Sequence, residues 1–230
     1  MAQAQTASIL LAAASATAVC ASQTPGAAGA LTINGGSASS GVATLDVARR
    51  VLITAAGNES GKTFTITGTD RSGIPQREVV AGPNTTTGQS VYDYKTVTSV
   101  VISAAAAGTI TVGTSAVASS RWIVLSDNGP NFNVGYAVAF AGLAGSVTLE
   151  GTSDKIDRAA WEASPSGCGD MSAAGLSAST WAAPVAMAIG SAITVDTSAA
   201  TTVPVRAVRI TTASGATSGS IRLTVIQAWY

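Results

Sequence analysis

Histidine is absent from the 230 residues, cysteine occurs twice, and only 10% of the residues are charged. Without histidine, Ser-His-Asp and Cys-His catalytic arrangements and histidine metal ligands are excluded. Cys20 and Cys168 fall in different predicted domains, so they give neither a disulfide framework nor metal-ligand spacing. We therefore predict that the chain is not an enzyme and that it binds no cofactor or metal.

Charge of either sign is sparse: 12 basic and 12 acidic residues cancel. The basic residues form no stripe, so the electrostatic footprint of a nucleic-acid binder is missing and no nucleic-acid partner is predicted. Much of the surface must then consist of Ser, Thr, Ala and Gly. A β protein with so few charges has little to protect its edge strands, which predicts that copies of the chain cover one another's edges.

The first 30 residues are rich in alanine and contain the apolar run Ser8–Ala14. No lysine or arginine precedes Arg49, so the positive region of a signal peptide is missing. The run is also too short to span a bilayer, and no membrane partner is predicted. We interpret residues 1–30 as an N-terminal arm or strand that packs on a neighbouring molecule through Ile9, Leu10 and Leu11.

Two strand patterns occur twice in the same order. Phe64–Asp70 matches Val147–Asp154, and Val97–Ser103, continued in a predicted hairpin to Val112, matches Val205–Thr211. Such a recurrence indicates a tandem duplication of one β unit. The predicted fold is therefore all-β, with two related antiparallel sandwich or barrel-like domains at 31–115 and 121–230.

The second predicted domain is longer than the first because an extra segment occupies about 153–180. It contains a predicted short helix, Asp154–Ala163, which carries Trp161. Insertions on a repeated frame often carry the surface that contacts a partner. Trp229 and Tyr230 are two large aromatic residues that are costly to leave in water, so we place them, with Trp161, among the candidate interface residues.

Two motifs suggest chemistry, and both have a simpler reading. Ala56–Thr63 satisfies a relaxed phosphate-binding-loop pattern, but Lys62 and Thr63 lead into a strand pattern where a phosphate site needs a helix, so we predict a glycine-rich hairpin turn. Two carboxylate pairs, Asp70 with Glu78 and Asp154 with Asp157, keep a paired-carboxylate hydrolase open. Charged turn residues explain both pairs.

Three segments resemble a β module found in structural proteins of tailed bacteriophages: Arg49–Thr54, Thr63–Asp70 and Lys95–Val100. The closing segment Pro204–Gln227 is similar to a companion module of such proteins. The resemblance implies a capsid decoration (cement) protein on the virion surface, assembled in the host cytoplasm. Its implied partners are the major capsid protein and copies of itself, in a trimer or another symmetric homo-oligomer.

Two other functions remain open from the sequence. A head-to-tail neck or tail component would also use β domains in symmetric rings. A carbohydrate-binding β-sandwich module would stack sugar rings on aromatic side chains, for which Trp122, Trp161, Trp181 and Tyr136 are the candidates.

Overall fold

The computed structural model describes residues 3–125, 134–152, 187–189, 191–201 and 205–227. Within these ranges the chain forms antiparallel strands and turns and no helix, so the prediction of an all-β fold is confirmed. The helix predicted at Asp154–Ala163 lies outside the described residues, as do Cys168 and the carboxylates Asp154 and Asp157.

The described residues form sixteen strands. The first eight are β1 (Gln3–Leu11), β2 (Cys20–Gln23), β3 (Gly29–Ala30), β4 (Ala38–Ser39), β5 (Val42–Ala55), β6 (Thr63–Thr69), β7 (Pro75–Ala81) and β8 (Thr87–Ile102). The second eight are β9 (Ile110–Ala118), β10 (Ile123–Val124), β11 (Val134–Ala141), β12 (Val147–Thr152), β13 (Met187–Ala188), β14 (Thr197–Thr201), β15 (Ala207–Thr212) and β16 (Gly219–Gln227).

The chain divides into two compact units, and the division falls inside β9, after Ser115. Residues 14–115 belong to the first unit, whereas the described residues before 14 and after 115 belong to the second. The structure thus splits the predicted arm 1–30. Residues 3–11 form β1 of the second unit, and residues 14–30 belong to the first.

The first unit contains one large sheet with the strand order β2-β9-β5-β8-β6-β7; β3 also pairs with β8, and β4 with β5. The hairpin predicted around Asp70–Gly73 is present, since β6 and β7 pair from Thr63↔Ala81 to Thr69↔Pro75. The hairpin predicted from Val97 to Val112 is wrong. β8 lies between β5 and β6, while β9 lies between β2 and β5.

The period-two pattern of β6 shows how the first unit forms its core. Phe64 and Ile66 point inward and are buried, while the threonines that alternate with them, Thr63, Thr65 and Thr67, point outward. Each such side chain contributes roughly 1.5–3 kcal/mol by leaving water. The core is completed by buried residues from the neighbouring strands, among them Val51, Ile53, Tyr94, Val97, Val100, Ile102, Ile110 and Val112.

The second unit contains two four-stranded sheets, ordered β1-β16-β11-β14 and β10-β15-β12-β13. Both sheets supply buried apolar side chains, as in a sandwich-like architecture. These include Ala7, Ile9, Leu11, Val134, Val138, Ile221, Leu223 and Val225 from the first sheet and Ile123, Val147, Leu149, Val208 and Ile210 from the second.

The matched segments of the two sequence repeats pair with each other in both units. β6 pairs with β8 in the first unit, and β12 pairs with β15 in the second, both antiparallel. This pairing is what a duplicated β unit would give. The tandem duplication itself stays a prediction.

Candidate interaction surface

Strand β11 alternates large and small side chains along its whole length. Val134 and Val138 are buried in the second unit, and Tyr136 and Phe140, which share their side of the sheet, are half-buried. Gly135, Ala137, Ala139 and Ala141 therefore occupy the opposite side. A sheet surface that faces water normally carries larger polar side chains, so this side of β11 is unusual.

The small side chains of β11 continue across the neighbouring strands as a flat surface, which we call the small-residue face. The register aligns four rows: Ala4, Ile226, Gly135 and Ala200; Thr6, Thr224, Ala137 and Ser198; Ser8, Arg222 and Ala139; and Leu10, Ser220 and Ala141. Each of these residues is exposed or half-buried. Arg222 is the one charged residue in the four rows.

The first unit has a second low-charge surface, on the outer side of β6 and its neighbours. One row joins Val79, Thr65, Val101 and Ala30 across β7, β6, β8 and β3. Val79 is 44% exposed and Val101 is 37% exposed. The next row contains Thr67 with Arg77 and Ser99. We call this surface the valine-threonine face.

The predicted interface residues have different positions in the structure. Ile9 and Leu11 are each only 2% exposed, because they point into the core of the second unit. Leu10 lies between them on the opposite side of β1 and is 70% exposed. Of Ile9, Leu10 and Leu11, only Leu10 lies on the small-residue face. Trp161, Trp229 and Tyr230 lie outside the described residues.

Sequence reasoning missed the small-residue face, although a signal for it is present. Residues 134–141 read Val-Gly-Tyr-Ala-Val-Ala-Phe-Ala, a period-two pattern in which every second residue is glycine or alanine. The pattern predicts a strand with one bulky side and one flat side. The continuation of the flat side across four strands depends on the pairing of β1 with β16, which no local pattern encodes.

Trp122 belongs to a polar cluster on the other sheet of the second unit. The Arg209 guanidinium lies 4.5 Å from the centroid of the Trp122 ring, and its Nε donates to Glu150 Oε2 at 2.7 Å. Thr211 Oγ1 donates to the same oxygen at 2.9 Å. Arg209 covers one side of the indole and is paired with Glu150 on the neighbouring strand, so the cluster stabilises the Glu150–Arg209 cross-strand pair. Tyr136 is on the β1-β16-β11-β14 sheet and does not join it.

The segment that resembles a phosphate-binding loop is a turn, and strand β6 begins at Thr63. It joins β5 to β6, which are separated by β8 in the sheet, so it is not the predicted hairpin. Gly57 permits a close backbone approach, since a Cβ there would lie 2.7 Å from Ala107 C. The loop thus packs against the backbone at Ala107, and no helix follows it to bind an anion.

Glu59 is the fully buried charge of this turn. Its Oε1 accepts hydrogen bonds from the amides of Ala107 (2.8 Å) and Gly108 (3.1 Å), and its Oε2 accepts one from Lys62 Nζ. Burial raises the pKa of the Glu59 carboxyl, but the Lys62 ammonium and the two amides lower it by more, so the pKa lies below its ordinary value. The Glu59 carboxylate therefore connects its own turn to the loop that contains Ala107 and Gly108.

The described carboxylate pair, Asp70 and Glu78, is occupied by backbone amides. Asp70 Oδ1 accepts from Ser72 N (2.7 Å) and Ile74 N (2.9 Å). Glu78 accepts from Val91 N (2.6 Å) and Tyr92 N (3.1 Å). Burial raises the pKa of Glu78 more than these amides lower it. Asp70 therefore stabilises the turn between β6 and β7, and Glu78 connects β7 to β8.

Among the described residues, no group of three or more potential metal ligands (Cys, Asp or Glu) comes together. Cys20 is buried in the core of the first unit, and burial raises the pKa of its thiol to about 12. In the same ranges no helical segment has the length and hydropathy needed to cross a membrane. No protein-family model, curated protein or solved structure matches the chain.

Proposed function

We propose that the chain is a structural virion protein that binds and stabilises a phage capsid shell as a decoration, or cement, protein. Its partners are the major capsid protein and copies of itself. The observation that carries the proposal is that each unit presents an outer sheet face almost without charge: the small-residue face in the second unit and the valine-threonine face in the first.

Low charge favours such faces as protein contacts because few polar groups lose water on binding. Short side chains also let a neighbouring backbone approach closely. A protein that only dimerises needs one such face, whereas a protein that joins a shell to copies of itself needs two. We assign the valine-threonine face to the shell.

The first experiment measures where and in how many copies the chain occurs in purified particles, by quantitative mass spectrometry and imaging of the particle surface. A decoration protein is expected in hundreds of copies on the shell. A dozen copies or fewer, located at one vertex, would replace this proposal with a neck or tail role. Absence from particles would overturn both.

The second experiment adds the purified chain to shells that lack it and measures co-sedimentation. Val101→Glu puts a charge in the middle of the valine-threonine face, and Val124→Glu is the matched control, because Val124 is a comparably exposed valine of the second unit. We expect Val101→Glu to weaken binding at least about tenfold and the control to bind normally. Equal binding by both variants would contradict the assignment of this face to the shell.

A further inference from the structure

The small-residue face has the composition of a surface that is covered in the working molecule. Antiparallel sheets with one wet side are usually polar on that side. Here Ala137 and Ala139 lie at the centre, and the apolar side chains of Leu10 and Ile226 lie near opposite ends, 70% and 46% exposed. Nothing on this side of the four strands projects as far as a lysine or glutamate would, apart from Arg222.

We infer that the small-residue face packs against the same face of a second copy of this chain, about a two-fold axis that runs parallel to the strands. The inference rests on the proposed function, in which the chain works by binding copies of itself, and it names the surface that does so. The two sheets then form the inner layers of an intermolecular sandwich.

The charges at the face are self-complementary, and this selects a second copy as the occupant. Arg222 belongs to β16, which pairs with one edge of β11, and it is aligned with Ala139. Asp196 precedes β14, which pairs with the other edge of β11, and its Oδ1 accepts a hydrogen bond from Phe140 N at 2.8 Å. An axis between β16 and β11 superposes the four strands of one copy on those of the other. In the plane of the sheets it brings each Arg222 to about one strand spacing, ~4.8 Å, from the other copy's Asp196, and the two side chains extend toward each other across the ~10 Å between the packed sheets.

The size of the face is sufficient for such a contact. Four strands spaced about 4.8 Å apart and about seven residues long cover roughly 500 Å² on each copy, or about 1,000 Å² for the pair. That is close to the lower bound for a specific interface, about 1,000 Å² with good complementarity. We therefore expect a dimer that dissociates on dilution, and symmetric assembly on a shell would reinforce it.

Charge reversal tests the pairing of Arg222 with Asp196 by sedimentation of the full-length chain between about 1 and 200 µM. In Arg222→Asp and in Asp196→Arg, each contact in the homodimer brings like charges together, so we expect dimerisation at least about tenfold weaker than in the unchanged chain. An equimolar mixture of the two variants restores both attractive contacts. The mixture is therefore expected to form a heterodimer.

A steric variant makes the test independent of the Asp196 hydrogen bond. Thr224→Arg places a long side chain in the middle of the face, and Thr98→Arg is its matched control on an exposed position of β8. Circular dichroism checks that each variant folds. We expect Thr224→Arg to be monomeric and Thr98→Arg to dimerise. A monomeric unchanged chain at 200 µM, or a dimer that tolerates Thr224→Arg, overturns the inference; absence of the chain from virions would sink only the proposed function.

Discussion

Each of the two units contains a strand pair with the matching sequence patterns, but the two pairs have different registers. In the first, Phe64 pairs with Ile102; in the second, the matching Val147 pairs with Thr212, two residues beyond the position that the sequence match would give. From Phe64 to Thr67 the shift stays at two residues, and because side chains alternate with a period of two, it keeps these side chains on their original faces. Similar sequence patterns therefore preserve the inward and outward faces more strictly than the register.

Gly68 in β6 and Gly151 in β12 occupy matching positions, and they show the difference between the two units most clearly. A Cβ on Gly68 would lie 1.9 Å from the carbonyl oxygen of Thr96, beside an irregularity in the β6–β8 register. A Cβ on Gly151 would meet side-chain atoms, 2.6 Å from Ile189 Cδ1 and 2.7 Å from Val205 Cγ1. At Gly68 the backbone of β8 leaves no room for a side chain, whereas at Gly151 the neighbouring side chains fill the space.

Replacing each glycine with alanine should therefore separate the two units by the size of the effect. We expect Gly68→Ala to lower the free energy of unfolding by about 3 kcal/mol or more, because the β8 backbone must move. Gly151→Ala should cost about 1–2 kcal/mol, since two side chains can adjust. Urea unfolding followed by circular dichroism measures both. Equal losses would contradict the backbone contact at Gly68 and the side-chain contacts at Gly151 as the cause of the difference.

The arginines of the two units give the next largest difference. Arg49 is 1% exposed; its Nε donates to Ser115 O at 2.7 Å, and its Nη1 contacts both Asp46 oxygens. Arg49→Leu leaves these acceptors without their cation, and we expect a loss of about 3 kcal/mol. Arg209→Leu should cost about 1 kcal/mol, because Arg209 lies partly in water. A loss for Arg209→Leu as large as that for Arg49→Leu would contradict the explanation that the burial of Arg49 causes the difference.

The pH dependence of stability tests the first unit through two carboxylates with opposite shifts. The folded pKa of Glu59 lies below the unfolded value, which is about 4.3. Its ionised form therefore stabilises the fold above that value, and the contribution is lost as the pH falls through the folded pKa. For Glu78 the folded pKa is raised, so its contribution is present below the unfolded value and is lost as the pH rises through the folded pKa.

We expect Glu59→Gln to lose about 1–3 kcal/mol at pH 7 and to unfold with a flatter acid slope below about pH 5. Glu78→Gln should steepen the same slope. Urea midpoints between pH 3.5 and 7 measure both variants. Identical acid slopes for the two variants and the unchanged chain would show that these carboxylates do not set the acid sensitivity of the first unit.

The smallest effect concerns the thiol of Cys20, which can report the opening of the first unit alone. In a Cys168→Ser variant we expect the native chain to leave Cys20 unlabelled by a thiol reagent, because the thiol is buried and its raised pKa of about 12 keeps it protonated. Labelling should begin only at urea concentrations that open the first unit. Fast labelling of the native chain would contradict the buried position.

The sequence was sufficient for the strand content and for local pairing. Alternation identifies β6 and its buried Phe64 and Ile66, and Asp70–Gly73 marks the turn to β7, where Gly73 has φ 82°. Long-range pairing was not predictable in this way. The Val97–Val112 pattern shows two strands but not their partners, and β5 separates them in the sheet.

The candidate surfaces were harder to predict because they depend on those long-range pairings. The apolar run predicts that Ile9, Leu10 and Leu11 all contact a neighbouring molecule, yet pairing with β16 turns Ile9 and Leu11 inward and Leu10 outward. Similarly, the period-two pattern around Ala137 indicates one flat side of a strand, but no local pattern places Thr224 beside it. They form a flat surface only when β11 and β16 lie side by side.

The pairing of β1 with β16 joins residue 3 to residue 227. During synthesis on the ribosome, β1 emerges long before β16, so its hydrogen-bonding partner does not exist until the strands between them have been made. The strands of the first unit find their neighbours much sooner. A bulky fusion placed directly before β1 would therefore hinder this late pairing, whereas one inserted at the exposed tip near Gly73 would leave it unaffected.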